Sequence, residues 1–283
     1  ESVARKTFVF QRGNFLDKGQ PVTPGVPRVF GSKESIDNRL EAAQWFVSDE
    51  HPLTARVMVN RIWEQLFGLG IVETVGDFGT SGIAPSHPEL LDDLAVRFRT
   101  DYEWSVKRLL RELVLSSTYR QQAAADAARL EADPRNVLIS RGPRQRLSAE
   151  MVRDQALVLS GRFAPKMYGP PVMPPQPDGI WRSVYNGSVW QTATDENRYR
   201  RAVYTYWKRT SGYPSMMTFD APSREICTVR CVATSTPLQA LVVLNDPAYV
   251  ELAQGLAERM AKEGGSNPTD RIKWAFEQAS GVP

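Results

Sequence analysis

The sequence predicts a mainly α-helical fold, a multi-helix packed domain with a minor antiparallel β element around residues 181–210. Three observations point there. Apolar residues recur at spacings of three and four through most of the chain, proline follows a capping residue at several helix starts, and one Asn-Gly pair lies between two tryptophans.

Ser35 precedes Ile36, Leu40, Ala43 and Val47, which share one stripe of a first, core-facing helix. His51-Pro52 opens a second helix that carries Leu53, Val57, Ile62, Trp63, Leu66 and Phe67, and Gly68 stands where a left-handed cap is wanted. Ser86-His87-Pro88-Glu89 has capping-box spacing and starts another helix. Val106, Leu109, Leu110, Leu113 and Val114 follow the same periodicity. Ser148 leads a further helix that ends near Gly161, with Leu147 and Val152 spaced as a hydrophobic staple. Thr236-Pro237-Leu238-Gln239 repeats the capping box, Asp246-Pro247 restarts the helix to about Glu263, and Asn267-Pro268 begins the last one.

The middle differs. Six of the 13 residues from Pro165 to Pro177 are proline, which removes amide donors and favours an extended strap. Beyond it, Tyr185-Asn186-Gly187-Ser188 sits between Trp181 and Trp190 as a hairpin signal, and Arg201 to Trp207 is rich in strand-favouring Val203, Tyr204, Thr205 and Tyr206. The expected organisation is a helical part over 1–163, the strap over 164–180, and a β element with C-terminal helices over 181–283, together one continuous domain. The last helix has an apolar face of Ile272, Ala275, Phe276 and Ala279 with no later sequence to meet, so a longer parent protein is expected.

Charge and motifs exclude several function classes. Thirty-five basic against 32 acidic residues leave +3, too small a field to make nucleic acid the expected partner. Apolar runs such as Leu241 to Leu244 fall far short of the roughly 20 residues of a membrane span. His51 and His87, each followed by proline, lack the close spacing with Cys227 and Cys231 that a zinc site needs, and Val232 stands where a haem-attachment motif needs histidine. No metal and no cofactor is therefore expected. Asp77-Phe78-Gly79 and Gly68-Leu69-Gly70 are chance matches to kinase and dinucleotide motifs, because their companion motifs are absent. The acid pairs Asp92-Asp93 and Asp195-Glu196 do not by themselves make a glycosidase site, since neighbouring acids on a helix diverge.

The most suggestive stretch is Arg198 to Arg209, with five cations and four aromatics in 12 residues. Read as a strand, Tyr204, Tyr206 and Lys208 share one face, and Tyr199, Arg201 and Trp207 the other. Tyr204, Tyr206, Trp207, Lys208 and Arg209 are thus candidates for stacking on sugar rings and holding anionic groups, the alternative being a strand with a core face and a solvent face. Asn60, Arg61, Trp63, Arg224 and Glu225 are embedded in apolar patterns as bracing or site residues.

His51 to Phe67, Asp77-Phe78-Gly79, Arg201 to Thr210, and the run from Phe219-Asp220-Ala221-Pro222-Ser223-Arg224-Glu225 to Thr236-Pro237-Leu238-Gln239-Ala240-Leu241 together resemble the planctomycete domain of unknown function 1553. The resemblance implies an exported multidomain protein, often carrying a cytochrome c-type segment, and hence an extracytoplasmic home at the periplasm or cell surface. It carries no catalytic residue over. Three functions are expected in consequence: a binding or scaffold module for anionic polysaccharide, a hydrolase of complex sulfated polysaccharide using Asp77 or His87 as acid or base, or a docking module for a cytochrome c-type partner.

Overall fold

A computed structural model describes residues 6–30, 36–181, 189–230 and 233–281. Ten α-helices and a two-stranded antiparallel sheet make up the regular structure of these residues, so the mainly α class with a minor antiparallel β element holds. The chain divides into two compact units, residues 1–145 and 146–283.

The first unit begins with strands β1 (Thr7–Phe10) and β2 (Lys18–Val22), paired with Thr7 opposite Val22. This sheet lies at the start of the chain, and no strand forms among the described residues of 181–210. Helices α1 (Arg39–Phe46), α2 (Leu53–Phe67), α3 (Pro88–Arg99), α4 (Val106–Leu115) and α5 (Ala127–Ala132) follow. Val59 and Trp63 of α2, Leu94 and Phe98 of α3, and Leu109 and Leu113 of α4 close one core with Ile71 and Val72.

Two helix starts differ from expectation. Ser35 lies outside the described residues, and α1 starts where the Asn38 side chain accepts the Glu41 amide. Leu40 and Val47 of the expected stripe are exposed, because the buried side of α1 is set by Trp45. Helix α3 starts at Pro88 as expected, but no capping box forms. The Ser86 hydroxyl turns back to the Ile71 carbonyl instead, at 3.3 Å.

His51 fixes the entry to α2. It is 8% exposed, and its Nδ1 accepts the Thr54 amide at 3.2 Å. The rings of Trp45, Phe46 and Phe30 surround it at 4.4, 5.3 and 5.8 Å. Burial lowers its pKa, and the positive end of α2 disfavours a proton at Nδ1 as well. Below about pH 6.5 the unfolded chain binds the proton more readily than the folded one. Stability from this group is thus complete above that pH and is lost as pH falls toward the lowered folded value. Urea titrations of the first unit between pH 7.5 and 5 should show this decline, and a His51→Asn variant, which keeps an acceptor but does not titrate, should flatten it.

In the second unit, α6 (Ala149–Leu159), α7 (Pro214–Thr218), α8 (Pro237–Asn245), α9 (Pro247–Glu263) and α10 (Pro268–Ser280) carry the packing. Ala149, Ala202, Tyr213, Met216, Phe219 and Tyr249 form its core. The helix starts follow the sequence: Ser148, Asp246 and Asn267 cap through their side chains, and the Thr236–Gln239 capping box is complete.

The expected strand over 201–207 does not form. Ala202–Tyr204 is a 3-10 turn, and only isolated parallel bridges join Ala164 to Arg200 and Val172 to Thr205. The neighbour of this segment is the proline strap, whose missing amides cannot complete a ladder. The Asp154 carboxylate also takes the Ala202 amide at 2.6 Å and fixes the turn. The hairpin expected at Tyr185–Ser188 lies outside the described residues.

Candidate functional site

The strap comes first, because it positions everything else. Arg200 is 1% exposed, and its guanidinium fans over three strap carbonyls: Lys166 at 3.3 Å, Pro170 at 3.2 Å, and Tyr168. The same group lies 3.9 Å above the Tyr204 ring, whose hydroxyl accepts the Tyr168 amide at 2.7 Å. A planar five-donor group is the side chain that can serve several carbonyls at once where no amide is offered in return.

Further along, the strap is gripped by aromatic donors. Trp190 Nε1 donates to the Pro174 carbonyl at 2.8 Å, and the Tyr213 hydroxyl donates to that of Pro175. Burial pushes the Tyr213 pKa up to about 12, so the hydroxyl keeps its proton and remains a donor through the neutral range. Trp190 stacks on Tyr213 at 5.8 Å and meets Trp181 edge-on at 5.2 Å, while Tyr206 lies 5.9 Å from Trp181 and 6.4 Å from Trp190.

Against this cluster opens a cleft of about 250 Å³ whose lining includes Gln176, Asp178, Trp181, Val189, Trp190 and Thr192. Two buried polar atoms of its lining have no hydrogen-bond partner, the acceptor Gln176 Oε1 and the donor Trp181 Nε1. Buried polar atoms are nearly always paired, so an unpaired donor and an unpaired acceptor on residues of one lining single this cleft out as the candidate site. The Lys208 ammonium lies 5.1 Å from the Trp181 ring centroid.

The stretch from Arg198 to Arg209 is thus divided among several tasks. Tyr206 packs in the aromatic cluster and Lys208 approaches the Trp181 ring, but neither is among the described lining residues of the cleft. Tyr204 supports Arg200. Trp207 donates to the Ser223 carbonyl at 3.0 Å and carries the Arg224 guanidinium 5.0 Å from its ring, and Arg209 is exposed. Arg224 reaches Glu150 at 3.5 Å, and Glu225 is exposed. The lining residues Gln176, Asp178, Trp181 and Trp190 were not singled out by sequence reasoning. Their signal was the pair of tryptophans flanking the Asn-Gly, directly after the strap.

The remaining candidates lie in the first unit. Asn60 is fully buried and Trp63 stacks on Phe67 at 4.0 Å, whereas Arg61 is exposed. Asp77 is exposed and closes a local turn by accepting the Gly79 amide at 2.8 Å. His87 Nδ1 lies 3.0 Å from the Ser86 hydroxyl. Neither Asp77 nor His87 lines the cleft or the small cavity of about 10 Å³ beside Trp63 and Phe67, which has room for one water at most.

Among the described residues no group of three His, Cys, Asp or Glu side chains could hold a metal ion, and no helix is long and apolar enough to cross a membrane. Cys227 is a free, exposed thiol, and Cys231 lies outside the described residues. The family model described as PSD1, protein of unknown function (DUF1553), matches residues 38–283. No curated protein and no solved structure matches the chain.

Proposed function

The chain belongs to the PSD1 (DUF1553) family, and we propose that its second unit is a polysaccharide-binding module that seats one sugar ring in the Trp181–Trp190 cleft. The observation that carries this reading is the pair of unpartnered buried atoms, Gln176 Oε1 and Trp181 Nε1, in the lining of an aromatic-walled cleft. A sugar hydroxyl is donor and acceptor at once, so neighbouring hydroxyls of one ring satisfy both atoms. The apolar face of the same ring packs against indole. At about 250 Å³ the cleft lies just under the roughly 300–1,000 Å³ of drug-sized ligand sites, which suits a single ring of a longer chain.

Binding is favoured over hydrolysis by the acids. Glycoside cleavage uses two carboxylates flanking the bond, and Asp178 is the one carboxylate among the described lining residues. Its role in this reading is to accept a hydroxyl proton. An extracytoplasmic setting, where polysaccharides are met, is part of the same proposal.

A thermal-shift panel of neutral, carboxylated and sulfated oligosaccharides tests it. A ligand held at 100 times its dissociation constant stabilises the fold by about 2.7 kcal/mol, which raises the midpoint by several degrees. Gln176→Ala and Asp178→Asn leave the aromatic cluster in place and are each expected to weaken binding by about tenfold or more, the worth of one hydrogen bond in a desolvated site. If no oligosaccharide moves the midpoint, the reading is wrong.

A further inference from the structure

We infer that the turn between β1 and β2 is a lipid-contacting tip, which inserts Phe15 and Leu16 into an anionic bilayer surface while Arg12, Lys18 and Lys6 meet its phosphates. The inference is independent of the saccharide reading and begins with how the turn is built. The Gln11 amide donates to the Asp17 carbonyl at 3.0 Å, and the Asp17 amide donates to the Asn14 carbonyl at 3.1 Å. Within this ring the Asn14 side chain accepts the Leu16 amide at 3.0 Å. Phe15 and Leu16 are thus the two central residues of a hydrogen-bonded turn, yet their side chains are 68% and 77% exposed. The backbone of the apex has its partners, and what the apex lacks is apolar surroundings for two adjacent large side chains.

Charge and shape choose the occupant. Arg12, Lys18 and Lys6 are exposed around the hairpin, against one exposed carboxylate, Asp17. Lys6 and Arg12 form no ion pair with any described residue, and the Lys18 ammonium lies 5.4 Å from the Phe8 ring centroid while its side chain stays exposed. An apolar apex backed by a positive collar is complementary to acyl chains beneath a layer of anionic phosphates. The other natural occupant of a hairpin is a partner strand. Here Pro21 removes a donor from β2, and the register shifts between Phe8 and Phe10 of β1, two devices that blunt a sheet edge against strand addition. No residue of β1 or β2 is buried, and a lone two-stranded hairpin is marginal in water, so insertion also steadies the hairpin itself.

The test is co-sedimentation of the complete chain with two kinds of vesicle, phosphatidylcholine alone and an equimolar mixture of phosphatidylcholine and phosphatidylglycerol, at low and high salt. It is run on the wild type, on the double variant Phe15→Ser with Leu16→Ser, and on Arg12→Gln with Lys18→Gln. All four side chains are exposed, so the fold should survive, and far-ultraviolet circular dichroism with the thermal midpoint checks that it does. The wild type is expected to partition onto the anionic vesicles, and the serine variant to lose about tenfold or more of that partition. The glutamine variant and high salt should each bring the partition on anionic vesicles down several-fold, toward that on phosphatidylcholine. If the wild type sediments with neither vesicle, the inference is overturned and the tip is a contact for protein. It is overturned equally if the serine variant sediments as the wild type does, or if both vesicles bind alike and the glutamine variant changes nothing.

Discussion

Replacing Arg200 with leucine is expected to lower the stability of the second unit by about 3–5 kcal/mol and to abolish the proposed saccharide binding at the cleft with it. Leucine can fill part of the space under Tyr204, but it leaves the carbonyls of Lys166, Tyr168 and Pro170 without their donor. Bonds from a charged donor are worth about 1.5–3 kcal/mol each, and three are lost in one step; strap carbonyls that regain water soften the sum toward the lower end. Arg200→Lys is not a conservative change here. A lysine keeps the charge but has no planar fork to span three carbonyls, so it is expected to recover less than half of the loss. Urea unfolding followed by tryptophan fluorescence and far-ultraviolet circular dichroism measures the change. Loss of binding should accompany it, because Pro174 and Pro175 of the same strap hold Trp190 and Tyr213 in place. A loss below about 1 kcal/mol would mean that the strap is held by its aromatic contacts and not by Arg200.

That hub shows where the sequence could be read and where it could not. Helices whose ends are settled by neighbouring residues were legible: the Thr236–Gln239 box, the left-handed Gly68 with φ of 82°, and the Asp246 and Asn267 caps all depend on partners within four positions. The buried side of helix α1 departs from the expected stripe because it is chosen by Trp45 packing edge-on to His51, a contact that no periodicity within α1 reports. The alternating run Val203 to Tyr206 has strand propensity but no strand partner, since the chain beside it is proline-rich. The true sheet had its own signal in Thr7-Phe8-Val9-Phe10, a strand-favouring run ahead of Gly13-Asn14. Five cations within 12 residues suggested one binding face. Only the folded chain shows that Arg200 serves carbonyls, Arg198 pairs with Glu251 at 2.7 Å, and Arg201 pairs with Asp154 at 3.1 Å, while Lys208 lies against the Trp181 ring. The open atoms of Gln176 and Trp181 were beyond reach for the same reason, because an unsatisfied bond is a property of the surroundings and not of the residue type.

Asn60 offers the sharpest test in the first unit, because its two partners are fixed in role. The residue is fully buried in α2; its Nδ2 donates to the Val72 carbonyl at 2.9 Å, and its Oδ1 accepts the Val72 amide at 2.8 Å. A backbone amide can only donate and a carbonyl only accept, so the orientation of the side-chain amide follows from the chemistry of Val72. Gly70 lies close by: a Cβ there would sit 2.9 Å from Asn60 Nδ2 and 2.6 Å from the Val72 carbonyl oxygen, so the approach of this turn to α2 requires glycine. Asn60→Leu keeps the volume and orphans both backbone groups of Val72, a loss of about 2–4 kcal/mol that should not vary with pH beyond the wild type's own variation. Asn60→Asp behaves differently. Its carboxylate still accepts the Val72 amide but faces the Val72 carbonyl with no donor, and the site is dry, so the folded-state pKa must rise above the usual value of about 3.9. A raised folded pKa means that the folded protein binds the proton more readily than the unfolded chain. The aspartate variant is therefore expected to be less stable than the leucine variant at pH 7 and to regain stability, relative to wild type, as pH falls toward 4. The protonated acid then donates to the Val72 carbonyl much as the amide does. Urea midpoints of wild type and both variants across that range decide the matter. Parallel pH curves for the two variants would show that the bond to the Val72 carbonyl contributes nothing to the packing of α2 on this turn.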